Sequence, residues 1–98
     1  MKCDDWPSYE TYPNPDRFLR KLAEVRESVE RGDAEILKGT CPLDQAKQPD
    51  GWFEESLYWV IRCKSSMKCY SLYANTYHGR SGWSEMSITE LANELDRE

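Results

Sequence analysis

Apolar side chains recur at Phe18, Leu22, Val25 and Val29, at steps of four, three and four. That is the repeat of one face of an α-helix. Arg17, Arg20, Lys21, Glu24, Glu27, Glu30 and Arg31 fall mostly on the other faces. The ends are marked as well. Asn14 suits the N-cap, and Pro15 suits the first helical position, where no backbone N–H is needed. Asp16 lies in the first turn, where the helix dipole favours an acid, and Gly32 ends the helix. Arg20 with Glu24 and Glu27 with Arg31 can pair one turn apart, whereas Arg17 with Lys21 is a like-charge pair.

The period then changes. Leu57, Trp59, Ile61 and Cys63 alternate with Tyr58, Val60 and Arg62, an aromatic and β-branched run that predicts a strand. Residues 64–68 form a turn, and a second strand runs from Cys69 to about Tyr77. In it Cys69, Ser71, Tyr73, Asn75 and Tyr77 face one way, and Tyr70, Leu72, Ala74, Thr76 and His78 the other. Gly79-Arg80-Ser81-Gly82 makes another turn, and Trp83–Met86 a short third strand. Ser87 and Glu90 form a capping box ahead of a last helix with Ile88, Leu91, Ala92 and Leu95 as its stripe.

The other segments are less regular. Residues 1–14 read as an irregular lead, with Trp6-Pro7 and Tyr12-Pro13 biased toward extended backbone. Its aromatics let it lie across the rest of the chain. Residues 34–38 predict a short helix between Asp33 and Gly39, and 43–51 a polar surface loop. The expected fold is therefore a single α+β domain spanning 1–98. An antiparallel sheet of two or three strands, from 56 to 86, packs against the N- and C-terminal helices. A longer sheet is the alternative, with 3–12 or 40–44 adding an edge strand.

Composition narrows the function. Acidic residues number 18 against 13 basic, a net charge of −5. A general nucleic-acid binder needs the opposite balance, so free DNA or RNA is not the expected partner. The aromatics, four Trp, six Tyr and two Phe, argue against a disordered chain. No apolar run approaches the roughly 18 residues of a membrane span, so no membrane partner is expected. Asp4, Asp5 and Glu10 stand where a secretion signal would be apolar, so a cytoplasmic, reducing setting is expected. Free thiols are then the expectation for Cys3, Cys41, Cys63 and Cys69. No CxxC pair occurs. The five residues between Cys63 and Cys69 exceed the usual zinc-knuckle spacing of about two to four. A zinc site using Cys63, Cys69 and His78 is thus a lesser reading, and no cofactor is expected.

Candidate chemistry is sparse. His78 is the one histidine, and no HExxH, EF-hand or GxSxG pattern occurs. No enzymatic activity is expected. Arg62, Lys64, Lys68 and Arg80, with Tyr70, Tyr73 and Tyr77 nearby, allow an alternative reading as a small nucleic-acid-binding or regulatory module. The aromatics outnumber what a small core holds, and Trp and Tyr dominate protein-interface hot spots. Acidic side chains crowd the middle of the chain. A partner-binding surface is therefore expected in the 44–55 loop (Asp44, Asp50, Trp52, Glu54, Glu55) and the 78–83 turn (His78, Arg80, Trp83). A basic protein is the partner that such acids would attract.

The segment Tyr58-Trp59-Val60-Ile61-Arg62-Cys63, then Cys69-Tyr70, then Thr76-Tyr77-His78-Gly79, resembles small bacterial immunity proteins of polymorphic or contact-dependent toxin systems. The likeness covers the second half of the chain. It implies an inhibitor that neutralises a cognate toxin by stoichiometric binding. In those proteins the two cysteines sit closer, in a knuckle-like turn. Here the turn is longer, so no metal site carries over, and no catalytic residue does either.

Overall fold

The computed structural model describes residues 3–12, 14–49, 51–52, 55–75 and 80–95, with backbone alone at Asp4, Gln48 and Leu95. Its frame is an antiparallel five-stranded sheet of β1 (Tyr9–Tyr12), β2 (Ala34–Gly39), β5 (Ser56–Cys63), β6 (Cys69–Asn75) and β7 (Arg80–Met86). The strand order is β1-β7-β6-β5-β2. A separate two-residue hairpin joins β3 (Lys47–Gln48) to β4 (Gly51–Trp52). The helices are α1 (Pro15–Glu30) and α2 (Ile88–Leu95). The α+β class is as expected. The sheet is wider than the expected two or three strands, because both edges come from segments read otherwise.

The first edge is β1, inside the presumed irregular lead. Tyr9–Tyr12 pairs along β7, with Glu10 opposite Trp83 and Tyr12 opposite Ser81. This is the edge strand that the longer-sheet alternative allowed within 3–12. The other edge is β2, where a helix was expected at 34–38. Only six residues form it, too few for a stable helix to compete with a ladder along β5. Ala34 lies opposite Cys63 and Ile36 opposite Ile61, with a register shift at Leu37. Glu35 then meets Arg62 across the strands at 2.6 Å.

Alternation sorts the sheet into two faces. On one, Leu57, Trp59, Ile61, Cys63, Tyr70, Leu72, Ala74 and Trp83 are buried together with Phe18, Leu22 and Val25 of α1. Helix α1 has the expected ends. Asn14 accepts from the Arg17 N–H at 3.0 Å. Gly32, at φ +84°, takes the left-handed position, with Asp33 N–H donating to Ser28 and Gly32 N–H to Val29. The other face carries Lys38, Val60, Ser71, Tyr73 and Ser84. Helix α2 lies on that side: Lys38 Nζ donates to the Glu94 carbonyl at 3.1 Å. Ser87 and Glu90 make the expected capping box, each side chain accepting from the other's backbone N–H at 3.1 Å. The expected stripe of α2 does not pack as a unit. Ile88, its first residue, is 88% exposed, and Leu91 is half-buried. The described residues give no helix long and apolar enough to cross a membrane.

The thiol expectation is corrected at two positions. The lead returns Cys3 beside the end of β5, with a Cα–Cα distance of 5.7 Å, and a Cys3–Cys63 disulfide joins them. Cys41 and Cys69 keep buried thiols. Closing a loop of 60 residues restricts the unfolded chain. Reduction, or Cys63→Ser, should therefore lower the unfolding free energy by about 4 kcal/mol, measured by urea titration with and without dithiothreitol.

Glycines 39 and 82 both lie under aromatic rings. A Cβ at Gly39 would overlap the Trp59 indole, which is buried and fixed by Nε1 donating to the Cys41 carbonyl at 2.7 Å. A Cβ at Gly82 would meet the Tyr73 ring at 2.8 Å, but Tyr73 is 40% exposed and can swing aside. Gly39→Ala should therefore cost about 1–3 kcal/mol and Gly82→Ala clearly less, compared in the same titration.

Candidate functional site

The residues expected to bind a partner separate in space. Trp52 and Arg80 come together. With Pro15, Phe18, Ala74, Asn75 and Ser81 they line a small hollow of about 40 Å³. The hollow forms because β4 ends against the start of α1, while Asn75 of β6 faces Arg80 of β7 in the ladder. Trp52 is half-buried, its ring tilted 57° to Phe18 at 5.8 Å. Lys47 lies opposite it in the β3–β4 hairpin and holds its ammonium 5.4 Å from the indole centre. The exposed Glu55 precedes β5 at the same end of the sheet, since Ser56 lies opposite Asn75.

The remaining expected residues lie elsewhere. Asp44 is exposed near Arg26 and Leu43, along the flank of α1. Trp83 is 0% exposed. Its position on the α1 side of β7 makes it a core residue rather than an interface anchor, and its Nε1 donates to the Pro7 carbonyl at 2.9 Å. Asp50, Glu54 and His78 lie outside the described residues.

The basic cluster expected around the β5–β6 turn also divides. Arg80 is at the far end of the sheet from Arg62, which faces Cys69. Arg62 pairs with Glu35 at 2.6 Å, and Lys68 with Glu85 at 3.9 Å. For the zinc reading, the sulfur of Cys63 is committed to Cys3. Among the described residues no group of three or more His, Cys, Asp or Glu is placed to hold a metal.

A second site was hidden from sequence pattern. The apolar stripe puts Lys21 on the polar side of α1, yet its side chain is only 4% exposed. Its ammonium lies 4.2 Å from the Trp83 ring centre and 5.3 Å from that of Trp6. Tyr70 stacks on Trp83 at 4.8 Å, and Trp6 meets both rings edge-on. Glu24 and Glu10 stand 3.7 and 3.9 Å from the ammonium. Glu10 also accepts from the Tyr12 hydroxyl at 2.9 Å. A polar cleft of about 330 Å³ opens here, lined by Glu10, Thr11, Tyr12, Arg17, Arg20, Lys21 and Glu24. The one sequence signal was the glutamate three residues after Lys21, which occurs on many exposed helices.

No protein-family model, curated protein or solved structure matches this chain.

Burial pushes the Lys21 ammonium below its ordinary pKa of 10.5, against the opposing pull of Glu24 and Glu10. Burial, then the Glu10 bond, pushes the Tyr12 phenol above its ordinary 10.0. The two act oppositely on stability. As pH rises toward 10.5, the folded chain releases the Lys21 proton before the unfolded chain does, so Lys21 makes stability rise. Above pH 10.0 the unfolded chain ionises Tyr12 while the folded chain keeps it neutral, so Tyr12 makes stability fall. Unfolding curves across alkaline pH test this. The stability of the parent over Lys21→Met should grow as pH climbs toward 10.5. The stability of the parent over Tyr12→Phe should shrink above pH 10.0.

Proposed function

We propose that this chain is a binding inhibitor, an immunity protein that neutralises a cognate toxin protein by stoichiometric, noncatalytic binding. The observation that carries the reading is the convergence of Trp52 and Arg80. They come from segments far apart in sequence, yet line one open hollow at the end of the sheet where Glu55 also lies. A half-buried indole next to exposed charges has the make-up of an interface hot spot: a rigid aromatic anchor with a polar rim. The net charge of −5 suits a basic partner and would speed its capture. The resemblance of the 58–63, 69–70 and 76–79 segments to immunity proteins points the same way. The nucleic-acid alternative draws less support, because Arg62 and Lys68 already face carboxylates.

The test uses the product of an adjacent toxin gene, with rates read by surface binding. Trp52→Ala should speed dissociation tenfold or more, equivalent to about 1.4 kcal/mol. Asp44→Asn and Glu55→Gln should mainly slow capture, and more so at low salt. The same slowing is expected of Asp50→Asn and Glu54→Gln. Trp83→Ala is unsuitable, because emptying that core site costs about 3–5 kcal/mol of stability. An adjacent toxin that this chain neither binds nor inhibits would reject the function. Intact binding with all these rates unchanged would reject the surface.

A further inference from the structure

The strand β1 is an open sheet edge, and its outward groups can be identified. The Glu85 N–H donates to the Ser8 carbonyl at 2.7 Å, which makes Ser8 and Glu85 a hydrogen-bonded pair. In an antiparallel ladder such pairs alternate with pairs that exchange no bonds. Glu10 and Tyr12 therefore direct their backbone groups inward to β7. Tyr9 and Thr11 direct theirs outward, where no strand among the described residues meets them. Tyr9 is 68% exposed, and Thr11 is exposed too.

Beside that edge runs the polar cleft between β1 and α1. Five charged side chains line it: Glu10, Glu24, Lys21, Arg17 and Arg20. The two glutamates face Lys21 at 3.9 and 3.7 Å. Arg17 and Arg20 are exposed, and among the described residues neither guanidinium has an ion-pair or hydrogen-bond partner. Most arginines elsewhere in the description do have one: Arg26 with Glu30, Arg31 with Glu27 and Asp33, Arg62 with Glu35. Two unpaired cations thus overlook a strand edge on a chain whose net charge is −5.

We infer that the β1 edge is a second binding surface, which takes an extended acidic peptide segment of a partner as a sixth strand. Outward N–H and C=O groups of Tyr9 and Thr11 supply the ladder bonds, the usual source of affinity in strand addition. Arg17 and Arg20 receive the segment's carboxylates, because guanidinium groups bind carboxylates in paired, charge-assisted bonds. The same arginines turn away basic strands and protect the bare edge from indiscriminate pairing. A second copy of this chain is a poor occupant. Edge-to-edge pairing about a two-fold axis would bring Arg17 and Arg20 of both copies to one seam. This surface is distinct from the Trp52–Arg80 hollow, so its failure would leave the proposed inhibitor function standing.

The probe is the peptide acetyl-Glu-Val-Glu-Val-Glu-Val-Glu-amide, titrated into nitrogen-15-labelled protein. Its counterpart has Gln in place of every Glu. The acidic peptide should bind with a Kd below about 1 mM, shift the Tyr9 and Thr11 amides and slow their hydrogen exchange. The Gln peptide should bind at least about tenfold more weakly, as should the acidic peptide to the Arg17→Gln/Arg20→Gln variant. Thr11→Pro deletes one outward donor and no inward ladder bond, so it should also weaken binding about tenfold without lowering stability. The arginine variant changes only exposed helix positions and keeps the test decisive if the proline variant unfolds. Four results would overturn the inference. One is no shift at Tyr9 and Thr11. Another is binding unaffected by both variants. The third is a thymidine oligonucleotide binding more tightly than the peptide. The last is shifts at the edge that grow with protein concentration alone, which would assign the edge to a second copy.

Discussion

The ammonium of Lys21 lies over the Trp83 ring at 4.2 Å and 5.3 Å from the Trp6 ring centre, in the layer where α1 meets the sheet. A buried ammonium is costly unless its charge is answered. Here two indole faces and two carboxylates answer it, and they come from four separate places in the chain. Trp6 lies in the lead, Glu10 in β1, Glu24 in α1 itself and Trp83 in β7. Cation–π attraction strengthens as water is excluded, so the contacts reinforce one another only when all four segments are docked. That requirement explains why residues 3–12 lie against the sheet. The aromatic packing of Trp6 on Tyr70 and Trp83 supplies the apolar part of the same joint.

The rest of the architecture follows from fastening the lead. Once Trp6 is seated, Tyr9–Tyr12 falls along β7 and becomes an edge strand, and Cys3 arrives beside Cys63. The hydroxyl of Ser65 sits 3.4 Å from the Cys63 sulfur, so the turn after β5 closes over the disulfide. The lead is thus held at three levels: a covalent bond, an aromatic cluster and a strand ladder. The sheet in turn separates its helices. Helix α1 covers the face with Trp59 and Leu72, and α2 lies on the side of Lys38. The hollow at Trp52 and Arg80 stays open to solvent at the sheet's end.

Local physics made much of this legible from the sequence. The stripe of Phe18, Leu22 and Val25, the Asn14 cap, the stop at Gly32 and the Ser87–Glu90 capping box all depend on residues within one or two turns. They stand as read. The alternation of Leu57–Cys63 with Cys69–Asn75 was equally readable, because adjacent strands joined by a short turn pair with each other. Features set by distant partners were not. Ala34–Gly39 is a strand only because β5 offers it a ladder, and nothing within the segment announces that. Lys21 looks like any charged residue on a helix until Trp6 and Trp83 close over it. Trp83 shows the converse: a surplus of aromatics correctly suggests exposed rings, but does not say which. At the candidate site, the 44–55 and 78–83 regions were singled out separately as contact regions, and nothing in either segment announces that they meet. The meeting of Trp52 with Arg80 required the ladder register of Asn75.

The charges carry the last step. Paired surface ions add little stability, about 0–1 kcal/mol each, so their pattern is better understood as what a partner meets. Arg26, Arg31, Arg62, Lys38 and Lys68 each have a carboxylate within 4 Å, and their fields largely cancel beyond the protein surface. Among the described residues, Arg17, Arg20, Lys64 and Arg80 are cations with no such partner. Lys64 stands in the β5–β6 turn, and the other three flank the β1 edge and the Trp52 hollow. An approaching protein therefore meets a surface that is acidic overall but positive at those two places. A basic protein would be drawn to the whole by the long-range field, which falls off over roughly 8 Å at physiological salt. At contact, the β1 surface inferred above would still favour carboxylates, and the proposed hollow apolar surface. On that proposal, attraction at a distance and discrimination at contact rest on different residues.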